Sequence, residues 1–289
     1  MSWAWTSAEK VRAHLENIKV EHSLFALPFG YTGMVLATGG LPTAHHLLWI
    51  TVALVAARSY AFCMNRLIDY PLDSIDPRTA SRPLPAGRLH RGEVVAVAIA
   101  TVLVVLYSAW QLNPLCVLLS PIALVVLTFY TYLKRVTWLY HYSIGLAGSG
   151  APIGAWIGVR GELSWEPVIL GVAVIFWWGG FDIIQDITGT EFDSSHGLHS
   201  VPVRFGPARA LTISAISHGV TIVLFIWLGL LIGLKWPYWI GMLITAGLLV
   251  FEHSLVTPED LSRTNLAFFY VNALISATFL VFTTISLLV

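Results

Sequence analysis

The stretch NRLIDYPLDSIDPRTASRPLPAG, residues 65–87, packs three aspartates and three arginines into a chain of 289 residues that is only 11% charged. It closes on a proline-rich turn. On both sides the sequence becomes apolar again, and 56% of all residues are hydrophobic. A soluble domain of this size needs a more polar surface. The polar island therefore has to be read against a background of lipid.

Working outward, apolar runs of about 20 residues, the length that crosses a bilayer as a helix, recur along the chain. Nine are predicted, at roughly 23–40, 45–64, 93–111, 114–133, 140–159, 166–183, 209–234, 236–256 and 265–288. In lipid each must be helical to satisfy its own backbone. The expectation is an all-α integral membrane protein with nine transmembrane helices. Thirteen of the sixteen Lys and Arg fall in the amino-terminal stretch or in loops after even-numbered spans, against Arg160 and Lys235 on the other side. The positive-inside rule then places the amino terminus and the 65–88 loop in the cytoplasm. Net charge is zero, and no basic field suggests nucleic acid. Cys63 and Cys116 are predicted about a bilayer core apart, roughly 30 Å, beyond disulfide reach.

Residues 1–22 lack the apolar core of a cleavable signal. Thr6 and Glu9 have capping-box spacing, and Val11, Leu15 and Ile18 form an apolar stripe behind Trp3 and Trp5. This segment is expected to lie in the interface and to lead into one transmembrane domain over 23–289.

A second polar stretch, DIIQDITGTEFDSSHGLHSVPVRFG at 182–206, aligns with the first when shifted by 117 positions. Asn65 falls on Asp182, Asp69 on Asp186, Asp76 on Asp193, Arg82 on His199 and Pro85 on Pro202. Four predicted spans lie between them, so both loops face the cytoplasm as same-orientation pseudo-repeats, unlike the inverted repeats of many transporters. Asn65 and Asp69, like Asp182 and Asp186, are four apart and share a helical face. Pro71 is expected to bend or end its helix before Asp73, leaving Asp73 and Asp76 in the turn.

So many carboxylates at one membrane face need neutralising. Salt bridges to Arg66, Arg78 and Arg82 are one account. The other is Mg²⁺, which is typically held by one or two carboxylates plus substrate phosphates, with the remaining arginines suited to phosphate oxygens. Both signs of charge then serve a diphosphate carried by cations.

Asn65-x-x-x-Asp69-x-x-x-Asp73, RPLPAG and Asp182-x-x-x-Asp186 together resemble the UbiA superfamily of intramembrane prenyltransferases. YLKR at 132–135 and GLHSVPVRFG at 197–206 resemble its 4-hydroxybenzoate polyprenyltransferase branch. The resemblance covers nearly the whole chain. It implies a helical bundle around a central cavity, open sideways to lipid and capped by the two loops. It also implies that Asn65, Asp69, Asp73, Asp182 and Asp186 hold Mg²⁺, as two ions, on a prenyl diphosphate. The reaction implied is alkylation of an aromatic acceptor in quinone biosynthesis, in a cell membrane, with the active-site loops cytoplasmic. Two departures bear on the acceptor. Many members have Asp where this chain has Arg66, and close bacterial relatives commonly have Tyr and Asp where it has Gln185 and Gly189.

Arg58 lies inside the second span, two turns from Asn65 on the same face, and suits an acceptor carboxylate, the diphosphate or a buried acid. Lys134 and Arg135 are placed either to contact phosphate or simply as positive-inside residues. Lys19, Glu21 and His22 stand at the entry to span one, and Lys19 is a candidate contact. His196 and His199 form H-x-x-H, which suits zinc on a helix; in this loop they are expected to shape the turn or donate to phosphate. The run GLAGSGAP, 145–152, reads as close helix packing or as room for an isoprenoid tail. Trp and Phe faces could stabilise a carbocation, although most belong at the lipid interface. A transporter of anionic lipid-like substrates would instead show inverted repeats and mid-membrane helix breaks. A CDP-alcohol phosphatidyltransferase would need D-x-x-D-G-x-x-A-R, and DYPLDSIDP at 69–77 does not match it. Glycerol-phosphate lipid, naphthoate and haem stay open as acceptors. The sequence does not specify oligomeric state.

Overall fold

The computed structural model describes residues 7–289, without the side chains of Ser7, His22, Leu24, Phe25 and Ala26. The expectations for Trp3, Trp5 and Thr6, and for the His22 side chain, lie outside the described residues. The described chain is helical, with no strand among those residues. Its helices are α1 (Ser7–Asn17), α2 (Ser23–Thr38), α3 (Ala44–Asp73), α4 (Arg91–Leu112), α5 (Pro114–Phe129), α6 (Tyr140–Arg160), α7 (Trp165–Asp186), α8 (Thr190–Ser195), α9 (Val201–Phe205), α10 (Pro207–Ile232), α11 (Trp236–Ser254) and α12 (Asn272–Leu288).

Among the described residues, six segments are long and apolar enough to cross a membrane: Ala44–Asp73, Arg91–Leu112, Pro114–Arg135, Trp165–Ser195, Pro207–Ile232 and Leu266–Leu288. The other three predicted spans coincide with α2, α6 and α11. α2 has only 16 residues, α6 is rich in glycine, and α11 carries Glu252 and His253. Where a helix faces other helices rather than lipid, its own surface need not be uniformly apolar. The lipid-facing signature is clear on α4 and α5, where Leu103, Leu118 and Ile122 are exposed. Trp110, Trp165 and Trp236 are exposed near helix ends, as an interfacial belt requires.

α7 is the most enclosed of the six, packed between α6 and α10, with Ala173, Val174, Trp177, Phe181, Ile183 and Ile184 fully buried. Around it Phe29, Trp177, Phe225 and Phe279 form a buried aromatic cluster, with ring centroids 4.1 Å apart for Phe225–Phe279 and 4.6 Å for Phe29–Trp177. The small-residue run on α6 packs closely, as predicted. A side chain at Gly145 would overlap the Ile175 backbone, one at Gly148 the Trp178 ring, and one at Gly33 of α2 the Pro152 backbone. Gly150 and Gly154 instead border an apolar cavity of about 150 Å³ shared with α3, α4 and α5.

Pro71 does not stop α3, contrary to expectation. The Ser74 amide still bonds to the Tyr70 carbonyl at 3.1 Å, and the helix runs through Asp73. A proline removes only its own bond, here the one to the Leu67 carbonyl, and the Ser74–Tyr70 bond shows the ladder resuming beyond it. Asn65, Asp69 and Asp73 therefore share one continuous helical face, while Asp76 lies in the turn beyond. Both cysteines are free. α1 docks against the start of α4: Lys10 pairs with Glu93 at 2.8 Å and Glu16 with Arg88 at 2.6 Å. Ala13 and Asn17 are buried, whereas Val11 and Leu15 of the apolar stripe stay exposed.

Candidate active site

The carboxyl ends of α3 and α7 face one another across a cavity of about 500 Å³. Asn65, Arg66, Asp69, Asp73 and Arg82 line one side, Asp182, Gln185 and Asp186 the other, and Lys19 and Lys134 also contribute. Both acidic stretches thus sit at the same end of the bundle.

On the first side each carboxylate has a cation. Arg135 donates to Asp69 at 2.7 Å, and Arg82 spans both oxygens of Asp73 at 2.8 Å. Arg66 is buried, 3.8 Å from Asp73, and donates to the side-chain Oδ1 of Asn65 at 2.9 Å; the Asn65 Nδ2 in turn donates to Asp69 at 2.9 Å. Arg78 grips Asp76 with Nε and Nη2 and reaches within 3.8 Å of Asp193 in the other loop. Burial opposes ionisation of Asp76, but the hydrogen bonds from Arg78 outweigh it and hold the carboxyl below its usual range. The salt bridges expected of Arg66, Arg78 and Arg82 are all present.

The second side is different. Asp182 faces the imidazole of His141, with Nδ1 2.8 Å from Oδ2. Asp186 has a buried Oδ2 without a hydrogen-bond partner, and the neighbouring Gln185 Oε1 is equally unpartnered. Oxygen atoms left open in this way fit a hard cation. Among the described residues no three His, Cys, Asp or Glu side chains are close enough to enclose an ion by themselves. An ion here would need oxygens from its substrate as well, the usual arrangement for Mg²⁺.

Other predicted residues stand further back. Arg58 does not line the cavity; it donates to the Lys19 carbonyl at 3.0 Å and stacks over Phe62. Lys19 is the one described non-glycine residue with positive φ, at 51°, a conformation that costs energy and persists only when its surroundings hold it. Burial lowers its ammonium pKa, with Glu21 opposing and Arg66 and Arg82 reinforcing. Arg135 acts through Asp69 from outside the cavity wall. The His199 side chain is exposed, and its backbone amide donates to the Lys134 carbonyl at 2.8 Å. His196 stacks on Phe192 at 4.0 Å. Among the described residues, the aromatic side chains that line the cavity are those of Tyr130 and Tyr140.

At Gly189, one of the departures, a methyl group would overlap Arg78 Nη1, so the guanidinium fills the space a side chain would take. His141, Tyr130 and Tyr140 were missed from sequence. His141 carried a usable signal, an ionisable residue at the start of a predicted span.

The model of the UbiA prenyltransferase family matches residues 26–274. The chain belongs to that family. A 4-hydroxybenzoate octaprenyltransferase from Tolumonas auensis is 32% identical over 221 residues, covering 76% of this chain and 77% of that protein. The apo structure of a UbiA homolog from Aeropyrum pernix K1 superposes with a TM-score of 0.83 at 29% identity, over 91% of this chain and 98% of that one. A UbiA homolog from Archaeoglobus fulgidus bound to DMAPP and Mg²⁺ shares the fold, with a TM-score of 0.71 at 21% identity, over 96% and 99%. This UbiA-family chain is an integral membrane protein.

Proposed function

We propose that this protein is a Mg²⁺-dependent intramembrane prenyltransferase that moves a polyprenyl group from its diphosphate to a ring carbon of 4-hydroxybenzoate or a similar aromatic acceptor. The observation that carries this reading is the convergence of both acidic helix ends, with Lys19, Arg66, Arg82 and Lys134, on one cavity at the end of an apolar bundle. The octaprenyltransferase relative supports the acceptor. Nine crossings, two same-orientation repeats, an interfacial segment at 1–22 and a cytoplasmic active site in the plasma membrane belong to the same reading.

Asp69, Asp73, Asp182 and Asp186, with Asn65, would hold two ions. When bound, Mg²⁺ supplies Lewis-acid neutralisation of the diphosphate charge. Lys19, Arg66, Arg82 and Lys134 stabilise the same charge as the allylic C–O bond breaks and its electron pair leaves with the diphosphate. The acceptor ring then supplies the electron pair for the new C–C bond, and a base takes the ring proton so that aromaticity returns. Tyr130 and Tyr140 line the same cavity, where an aromatic ring can stabilise the developing cation. Arg58 fixes the backbone of Lys19, and His199 clips the second loop to Lys134, so both act through neighbours. Closing the two loops over the cavity would keep water from quenching the cation.

Purified protein in detergent, given Mg²⁺, 4-hydroxybenzoate and prenyl diphosphates of several lengths, should yield prenylated hydroxybenzoate by mass spectrometry. EDTA and Asp69→Ala should each abolish it. Diphosphate release without the adduct would overturn the acceptor. No turnover by folded protein would overturn the reaction.

A further inference from the structure

His141 is the second residue of α6 and is fully buried. Its Nδ1 lies 2.8 Å from Asp182 Oδ2, and the backbone N–H of Val201 points at Nε2 from 3.2 Å. An amide N–H can only donate, so Nε2 must accept. The ring proton then sits on Nδ1, where it donates to Asp182. Nε2 is also 4.0 Å from Asp186 Oδ2. With no proton there, the ring gives Asp186 nothing, and that oxygen stays unpartnered.

We propose that His141 is a positioning residue of the metal site. One nitrogen fixes an oxygen of Asp182 and so sets the direction of the other. The second nitrogen ties that carboxylate to the backbone of the 197–206 loop. The placement of the loop and the aim of the carboxylate are thereby one event. Partners that orient a metal ligand commonly change metal affinity about 10–100-fold when removed. This inference rests on the metal-dependent reading above.

The test is Mn²⁺ binding to the full chain in detergent, followed by electron paramagnetic resonance with inorganic diphosphate present. His141→Ala should weaken Mn²⁺ binding about 10–100-fold. His141→Asn places an amide N–H near the position of Nδ1 and should restore most of the affinity. His141→Gln, whose amide reaches the Nε2 position instead, should not. If His141→Ala fails to fold, the Asn and Gln variants still decide, because equal affinities would overturn the proposal. Wild-type affinity in a folded His141→Ala protein would overturn it too. Absence of Mn²⁺ binding to the wild-type protein would instead overturn the metal-dependent reading itself.

Discussion

The two acidic helix ends carry similar residues and neutralise them differently. At the end of α3, Asp69, Asp73 and Asp76 each meet an arginine within hydrogen-bonding distance. At the end of α7, Asp182 meets the Nδ1–H of His141, and Asp186 keeps a buried oxygen with no hydrogen-bond partner. A carboxylate already paired with a guanidinium gains less from a further cation than one left open. The α7 side is therefore where an added ion changes the electrostatic balance most. The α3 side is better prepared to exchange its arginines between carboxylate and phosphate.

The largest effect that could break this comparison is on turnover. Asp186→Ala should cut product formation about 10³-fold, the scale of losing one charge-stabilising group in an active site. Asp76→Ala should cost far less, because Asp76 faces Arg78. Equal losses in a mass-spectrometric assay would mean that the contrast between the two ends has no catalytic meaning.

A smaller effect should appear in stability. Arg82→Ala strands the buried carboxylate of Asp73, and an unsatisfied buried group costs about 1–3 kcal/mol. The partly exposed Arg82 puts the result at the low end. Thermal unfolding should shift down, and millimolar Mg²⁺ should recover more of the shift than it adds to wild type. No recovery would argue against ion binding on the α3 side.

The smallest effect concerns pH. Because Arg78 lowers the folded pKa of Asp76, its contribution is complete above the unfolded value, about 3.9. It is lost as pH falls through the folded value. The difference in melting temperature between wild type and Asp76→Asn should therefore be constant near neutrality and close on acidification. A difference that grows in acid would have the wrong sign.

Much of this was legible in sequence because it is local. The apolar runs, the i+4 spacing of Asn65 with Asp69 and of Asp182 with Asp186, and the charge asymmetry all lie within short windows. The reading failed where the outcome depends on what stands beside a residue. Pro71 was given the weight of a helix stop, but it removes only its own bond and the ladder resumes beyond it. His141 meets Asp182 from 41 positions away and Val201 from 60, so no local pattern could pair them. The left-handed backbone at Lys19 depends on support from Arg58, 39 positions away. α2, α6 and α11 gave weaker span signals than their neighbours because α2 has only 16 residues, α6 is interrupted by glycines and α11 carries Glu252 and His253 at its end.

The Arg78 guanidinium occupies the space that a side chain at position 189 would take, so the two positions share one volume. A side chain there would have to move the far end of the arginine, which holds Asp76 and reaches towards Asp193. Position 189 is thus less a gap in an acidic motif than the seat of a cation shared between two loops.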